Sequence, residues 1–436
     1  MAYRDFSDAQ LSRRSLLRGG AYASAAGALA GLPFGSAALA LQDTPRFAAL
    51  SGLVDKYVGE GKVANMVVAL GAGMQQPISI ARGQLGLNSG PQADLDSLYR
   101  IYSMTKPITG MMAMMLIEDG KLGLDQPLAD ILPAYGNMMV QKEYDGAITE
   151  DNLVPVERPI TIRHLLTHTA GLGYGIVQQG PIKAAYEAKG LVPGQVTRLP
   201  LPGLGRSKAI VGLDNFANEL AKMPLVLQPG TKWSYSVSLD LLGRVIEVVE
   251  QKPFDQVLQE RLFDPCGMTS TYFKVPESEV GRLTDNFGIL AGTPFPIDPA
   301  ASSIYLDTPS FPFGGAGLVS SPRDYDRFLM MLLGYGKIEG KRVMGELAVR
   351  VGTSNIMPAG VTTEGTWVAG QGFGAGGRSV GGTYGWGGAA GTLGAVDFGN
   401  KVRSGLYVQY MPPEAYPIRD DFIAAVQKDV LAMQGS

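Results

Sequence analysis

The chain has 436 residues, 37 Lys and Arg against 40 Asp and Glu, and a single cysteine. At roughly 100–200 residues per domain, this length allows about two or three lobes around a sizeable core. The slightly negative balance gives no electrostatic footprint for nucleic acid or an anionic membrane surface, and one cysteine excludes an internal disulfide.

The first stretch does not read as part of the fold. Ser12-Arg13-Arg14-Ser15-Leu16-Leu17 is a twin-arginine pattern, followed by a Gly/Ala-rich, mildly apolar run to Leu41 with a small-x-small site at Ala38-Leu39-Ala40. This predicts a bacterial leader over residues 1–40 and a mature chain, 41–436, that is periplasmic or secreted. Pro33 and the glycines from Gly19 to Gly35 argue against a stable membrane span.

A helix is predicted from Pro45 to Glu60, then strands at Ala64–Leu70 and Pro77–Ala81 joined as a hairpin. Ser103-Met104-Thr105-Lys106 follows, the one place in the chain where a Ser is followed three residues later by a Lys. A Ser hydroxyl needs a neighbouring base to act as a nucleophile. Residues three apart on a helix share a face, so Lys106 is expected one turn from the Ser103 hydroxyl. The apolar run Met111, Met112, Met114, Met115, Leu116 and Ile117 reads as a buried helix that stops at Asp119-Gly120, with Pro107 tolerated in its first turn. By itself Ser-x-x-Lys is equally an N-cap Ser beside a solvated Lys.

Residues 100–280 read as mainly helical with long loops, that from Gly171 to Leu213 being long enough to border a site. Trp233-Ser234-Tyr235-Ser236-Val237-Ser238 leads into a helix over Ser238–Glu250. A tyrosine just before a helix can project into a cleft, and an ammonium beside a phenol favours its ionised form. Leu262-Phe263-Asp264-Pro265-Cys266-Gly267-Met268 reads as a packed turn with Cys266 as a small buried hydrophobe. Ser321-Pro322-Arg323-Asp324 opens another helix, with Ser as N-cap. Trp386-Gly387-Gly388-Ala389 leads into strands at Gly391–Phe398 and Arg403–Tyr410, and an amphipathic helix closes the chain from Ile418 to Met433. Glycines at 387 and 388 let backbone approach a substrate, and the Ala389 N–H can pair with the Ser103 N–H as an oxyanion hole. Early and late strands pair most simply in one antiparallel sheet. This predicts an α+β fold with sheet from about 41–100 and 280–436, flanked by helices, and a helical lobe within about 101–280.

Three other patterns are set aside. Gly377-Arg378-Ser379-Val380-Gly381 matches the G-x-S-x-G elbow, but that device needs a strand–turn–helix and a later His, and His164 and His168 both precede it. His164 and His168 lack the further ligands of a metal site and are read as structural. Gly372-Phe373-Gly374-Ala375-Gly376-Gly377 spells G-x-G-x-x-G without a following helix. No cofactor or metal is expected.

Together these motifs resemble the serine β-lactamase-related hydrolases, and within them the family VIII carboxylesterases, which share a fold with class C β-lactamases and D-alanyl-D-alanine peptidases. Ser103-Met104-Thr105-Lys106 looks like that family's nucleophile motif. Tyr235-Ser236-Val237 falls where β-lactamases carry Tyr-x-Asn, and Trp386-Gly387-Gly388 where they carry Lys-Thr-Gly. Ile162–Leu172 and Gly314–Ser320 also match the general pattern. The resemblance implies catalysis by Ser103, Lys106 and Tyr235 without a cofactor, on a small-molecule ester. Trp386, Gly387, Gly388 and Val237 would line the substrate site, with Tyr174 in its wall. The departures point the same way: Trp386 offers no ion pair and Val237 no amide hydrogen bond, which favours neutral esters over anionic β-lactams. β-Lactamase, D-amino-acid peptidase, amide hydrolase or acyltransferase activity from the same site, and a non-catalytic penicillin-binding module, stand as alternatives. Nothing in the sequence sets an oligomeric state.

Overall fold

The computed structural model describes residues 47–199 and 209–434. The expected leader and part of the 171–213 loop lie outside the described residues. An eight-stranded, wholly antiparallel sheet organises the chain. Its strands are β1 (Asn65–Ala72), β2 (Ile78–Gly86), β3 (Ser89–Gln92), β4 (Gly372–Phe373), β5 (Arg378–Val380), β6 (Thr383–Gly387), β7 (Leu393–Asp397) and β8 (Val402–Tyr407), in the spatial order β4-β5-β6-β7-β8-β1-β2-β3. The early hairpin and the late strands meet at β1–β8, with Val67 opposite Tyr407 and Leu70 opposite Ser404.

β1 is buried along its whole length, yet its side chains still sort by twos. Val67 and Ala69 enter the large core, whereas Met66, Val68 and Leu70 enter a second one. The second core is roofed by the terminal helices α1 (Ala48–Gly59) and α6 (Ile418–Gln434), through Leu50, Val54, Phe422 and Val426. α1 has no side-chain cap of its own. Asp429 of α6 accepts from the Ala49 and Leu50 N–H groups instead, at 2.8 and 2.9 Å, supplying negative charge at a helix N-terminus.

The opposite face carries α2 (Thr105–Glu118) and α5 (Pro322–Leu333). α2 is apolar around nearly its whole circumference, as befits a helix in the middle of a core. The glycine-rich 372–377 segment packs against it. A Cβ at Gly110 would run into the Ala375 carbonyl, and one at Gly376 into the Lys106 carbonyl. These glycines therefore allow two backbones to touch. Ser379 lies on strand β5 rather than at a strand-to-helix turn. Arg403 of β8 and Asp326 of α5 form a buried ion pair at 2.8 Å that ties this layer to the sheet.

Short helices fill the lobe, among them α3 (Ile162–Leu166) and α4 (Ser238–Glu250), which buries Leu239, Leu242, Val245 and Ile246 at helical spacing. The 171–213 stretch contains a helix, Pro181–Ala188, so it is less bare than its composition suggests. Cys266 is completely buried in its turn, and burial pushes its thiol up to about 12.

Candidate active site

The chain enters the site through Tyr102, a non-glycine residue held at φ 41°. Such conformations cost of order 1–3 kcal/mol and persist where the surroundings enforce them. Here the Tyr102 hydroxyl accepts from Asn286 Nδ2 at 3.0 Å. A single 3₁₀ turn, Tyr102–Met104, then runs straight into α2. Ser103 sits half-buried on that turn, and Lys106, one turn later, is fully buried. Lys106 Nζ donates to Ser103 Oγ at 3.3 Å and to the Gly315 carbonyl at 2.7 Å.

Gly315 is gripped on its other side by Asp240, which accepts the Gly315 N–H at 2.9 Å. A Cβ there would lie 2.6 Å from Asp240 Oδ2, so only glycine fits between the acid and the lysine. Asp240 occupies the first turn of α4 and is 1% exposed. Burial raises its carboxyl to about 6, against the opposing pull of Lys106 and the Gly315 N–H. Thr109 Oγ1 donates to the Gly314 carbonyl at 2.7 Å, fastening the same loop further along α2.

Aromatic rings form the other wall. Lys106 Nζ lies 4.6 Å from the Tyr235 ring centroid and 5.6 Å from that of Tyr174, within cation–π reach. All three tryptophans of the chain surround Tyr235, with centroids at 4.9 Å (Trp367), 5.7 Å (Trp386) and 5.8 Å (Trp233, stacked). The Tyr235 hydroxyl accepts from Trp386 Nε1 at 3.0 Å. Lys106 Nζ thus meets the ring of Tyr235, and the phenol oxygen's hydrogen-bond partner is an indole.

Both histidines serve this framework. His164 Nδ1 accepts the Thr161 N–H at 3.1 Å and completes a capping box on α3, and burial lowers the imidazole to about 4. His168 packs 4.8 Å from Tyr235, and its Nδ1 hydrogen-bonds with Ser236 Oγ at 2.9 Å. Its carbonyl accepts the Ser234 N–H at 2.9 Å. Burial and the nearby Lys106 hold it neutral, well below the usual imidazole range.

The third wall is the turn after β6. A Cβ at Gly388 would overlap the Ile101 carbonyl, so glycine lets this turn press against the segment that leads to Ser103. Ala389 follows, half-buried, and its N–H donates to no acceptor among the described residues. Val237 is completely buried just before α4, and Tyr174 is 3% exposed beside Tyr235. Among the described residues, no group of three or more His, Cys, Asp or Glu side chains is arranged to hold a metal.

The structure therefore brings Ser103, Lys106, Tyr235, Tyr174, Trp386 and the Gly387–Ala389 turn to one place. It also adds Asp240, Gly315, Trp233, Trp367 and Arg419, whose guanidinium lies behind the Gly388 turn. The signal for Asp240 was a single acid in the first turn of a helix, which ordinarily marks only the helix dipole.

The Beta-lactamase family profile matches residues 50–428. Protein Rv1367c of Mycobacterium tuberculosis is 36% identical over 269 residues, which is 62% of this chain and 62% of that protein. The alignment thus spans less than two thirds of that relative. Esterase EstB of Burkholderia gladioli is 28% identical over 295 residues, 65% of this chain and 69% of EstB. The solved structure of EstCE1, described as a hydrolase with promiscuous acyltransferase activity, superposes with a TM-score of 0.68 at 24% identity, covering 87% of this chain and 99% of EstCE1. With a profile match across nearly all the described residues and an antiparallel sheet flanked by helices, the chain belongs to the Beta-lactamase family and has the serine β-lactamase/transpeptidase fold.

Proposed function

We propose that the protein is an exported serine carboxylesterase, similar to family VIII enzymes, that cleaves small to medium neutral esters through an acyl-enzyme on Ser103. The observation that carries this reading is the buried Lys106 Nζ, 3.3 Å from Ser103 Oγ and fixed from the other side by Gly315. In the reaction, Ser103 Oγ bonds to the ester carbonyl carbon as its proton passes to the Lys106 amine. The carbonyl oxygen becomes an oxyanion between the Ser103 and Ala389 N–H groups, where one donor is typically worth ~10²–10³ in rate. In this reading Tyr235, which accepts from Trp386, donates its own proton to the departing alkoxide. The Tyr235 phenolate then takes a proton from water as it attacks the acyl-enzyme carbonyl, and the Lys106 ammonium returns its proton to Ser103 Oγ as the acid departs.

Trp386 and Val237 support neutral substrates, since neither supplies the charge or amide group an anionic β-lactam would need. EstB and a lovastatin esterase of Penicillium rubens, 34% identical over 213 residues, are esterases by name. The Arg13-Arg14 motif supports export, and N-terminal sequencing of secreted protein should begin at Leu41.

The test is hydrolysis of p-nitrophenyl butyrate by the wild type and Ser103→Ala, beside nitrocefin and a D-Ala-D-Ala peptide. Ester turnover that vanishes in the variant supports the reading. Undiminished turnover in the variant, or nitrocefin turnover far above that of the ester, refutes it. The ring enclosure of Tyr235 by Tyr174, Trp233, Trp367 and Trp386 favours a second reading, acyl transfer to an alcohol, because a dry wall disfavours water as the acceptor. Adding an alcohol acceptor and measuring the new ester against free acid separates the two.

A further inference from the structure

Arg419 is the second residue of α6, at the positive end of a helix, where a cation is electrostatically disfavoured. No carboxylate among the described residues pairs with it. Its hydrogen bonds all go to backbone carbonyls of one turn: Nη2 donates to Gly388 O and, at 3.1 Å, to Thr392 O, and Nε donates to Gly391 O at 3.3 Å. The turn is shaped to receive it. A Cβ at Gly387 would lie 3.0 Å from Arg419 Cζ. The glycine doublet thus clears room twice, at Gly387 for the guanidinium and at Gly388 for the Ile101 carbonyl on the nucleophile segment.

The Gly388 carbonyl and the Ala389 N–H belong to the same peptide unit. Its C–N bond has partial double-bond character, so charge drawn to the oxygen leaves the N–H more positive. Hydrogen bonds in series strengthen one another, and a charged donor does so more than a neutral one. Resting on the reading of Ala389 as an oxyanion donor, we propose that Arg419 is a positioning residue for the reaction: its guanidinium fixes the Gly388–Ala389 peptide and polarises the Ala389 N–H toward the oxyanion. α6 belongs to the roof on the far face of the sheet. The donor is thereby anchored by Arg419 to a layer that otherwise stands outside the site.

The experiment compares Arg419→Ala and Arg419→Lys with wild type on p-nitrophenyl butyrate, with Ser103→Ala as control. A donor that is weakened but still present should cost roughly tenfold to a hundredfold in kcat in Arg419→Ala, less than loss of a whole oxyanion donor. KM should stay within about twofold, the signature of an interaction made only in the transition state. An alkyl trifluoromethyl ketone, which forms an oxyanionic adduct with a nucleophilic serine, should bind more weakly by the same factor as kcat falls. Guanidinium added at low concentration should restore part of kcat to Arg419→Ala and none to Arg419→Lys, whose ammonium fills the space without spanning the carbonyls.

Unchanged kcat and unchanged ketone affinity in both variants, with Ser103→Ala inactive, would overturn the proposal and leave the esterase reading intact. So would losses in which KM and kcat move together with the melting temperature and guanidinium recovers nothing. If Arg419→Ala does not fold, Arg419→Lys alone decides by its kcat and ketone affinity. Full turnover by Ser103→Ala would end the esterase reading and this inference together.

Discussion

Arg100 and Arg419 stand behind two walls of the same site that meet at Ile101 and Gly388. Arg100 lies three residues before Ser103, is completely buried, and meets a buried carboxylate: Nε donates to Asp298 Oδ2 at 2.7 Å, and Nη2 also reaches the Asp298 carbonyl and Ser303 Oγ. Gln409 brackets the Arg100 backbone from both sides, accepting its N–H and donating to its carbonyl, each at 3.1 Å. Arg419 is half-buried and, among the described residues, hydrogen-bonds only to carbonyls. A dry cation with a dry counter-ion is scaffold, because removing either partner strands the other. A cation whose partners are all dipoles directs its field onto those dipoles, and here they belong to the turn that carries Ala389. The nucleophile wall is therefore held by neutralised charge and the oxyanion wall by charge left uncompensated.

The largest expected effect breaks the scaffold side. Arg100→Met leaves Asp298 buried and unpaired, and should cost about 3–5 kcal/mol of stability. Denaturant unfolding measures it, and a variant with the wild-type midpoint would erase the contrast with Arg419. Gly388→Ala comes next. Its methyl would meet the Ile101 carbonyl and push the turn away from Ser103. If the Ala389 donor is lost, kcat for p-nitrophenyl butyrate should fall by ~10²–10³ with little change in unfolding midpoint. A kcat within a factor of about two of wild type would show that the two walls need not touch.

The smallest effect is a pH slope on the nucleophile side. The folded Asp240 carboxyl sits at about 6, above its ordinary value of 3.8, because of burial. The native state therefore holds this proton more tightly than the unfolded chain. The associated stability is complete below the unfolded value and is lost as pH rises through about 6. Asp240→Asn cannot lose a proton, so its melting temperature should gain on wild type between about pH 4 and 6, by less than about 3 kcal/mol of stability. Parallel melting curves across that window would remove Asp240 as the titrating group.

What sequence revealed of this molecule follows how local each feature is. Ser103 and Lys106 are one helical turn apart, so their meeting depends on a single element. Helix α4 and the Ser321 cap were legible for the same reason: period and cap lie within one stretch, and Ser321 does accept the Asp324 N–H. The early and late strands were readable as strands, and one antiparallel sheet was the simplest way to pair them. The supporting residues were not readable. Asp240 acts on Gly315 across 75 positions and Arg419 on Gly388 across 31, and neither separation leaves a periodic trace. The Tyr235 hydroxyl bond to Trp386 spans 151 positions and depends on how two walls close. The G-x-G-x-x-G run misleads for a related reason: its glycines make room for neighbours elsewhere in the chain, Gly374 for the Gly352 carbonyl and Gly377 for the Tyr384 ring.

The sealed turn at Cys266 carries a practical consequence. No other sulfhydryl exists in the chain, and this one is inaccessible and kept in its protonated, unreactive form. A maleimide dye mixed with intact enzyme will therefore attach only when the lobe comes apart. The attachment rate becomes a stopwatch for unfolding that needs no substrate, no added tag and no engineered probe.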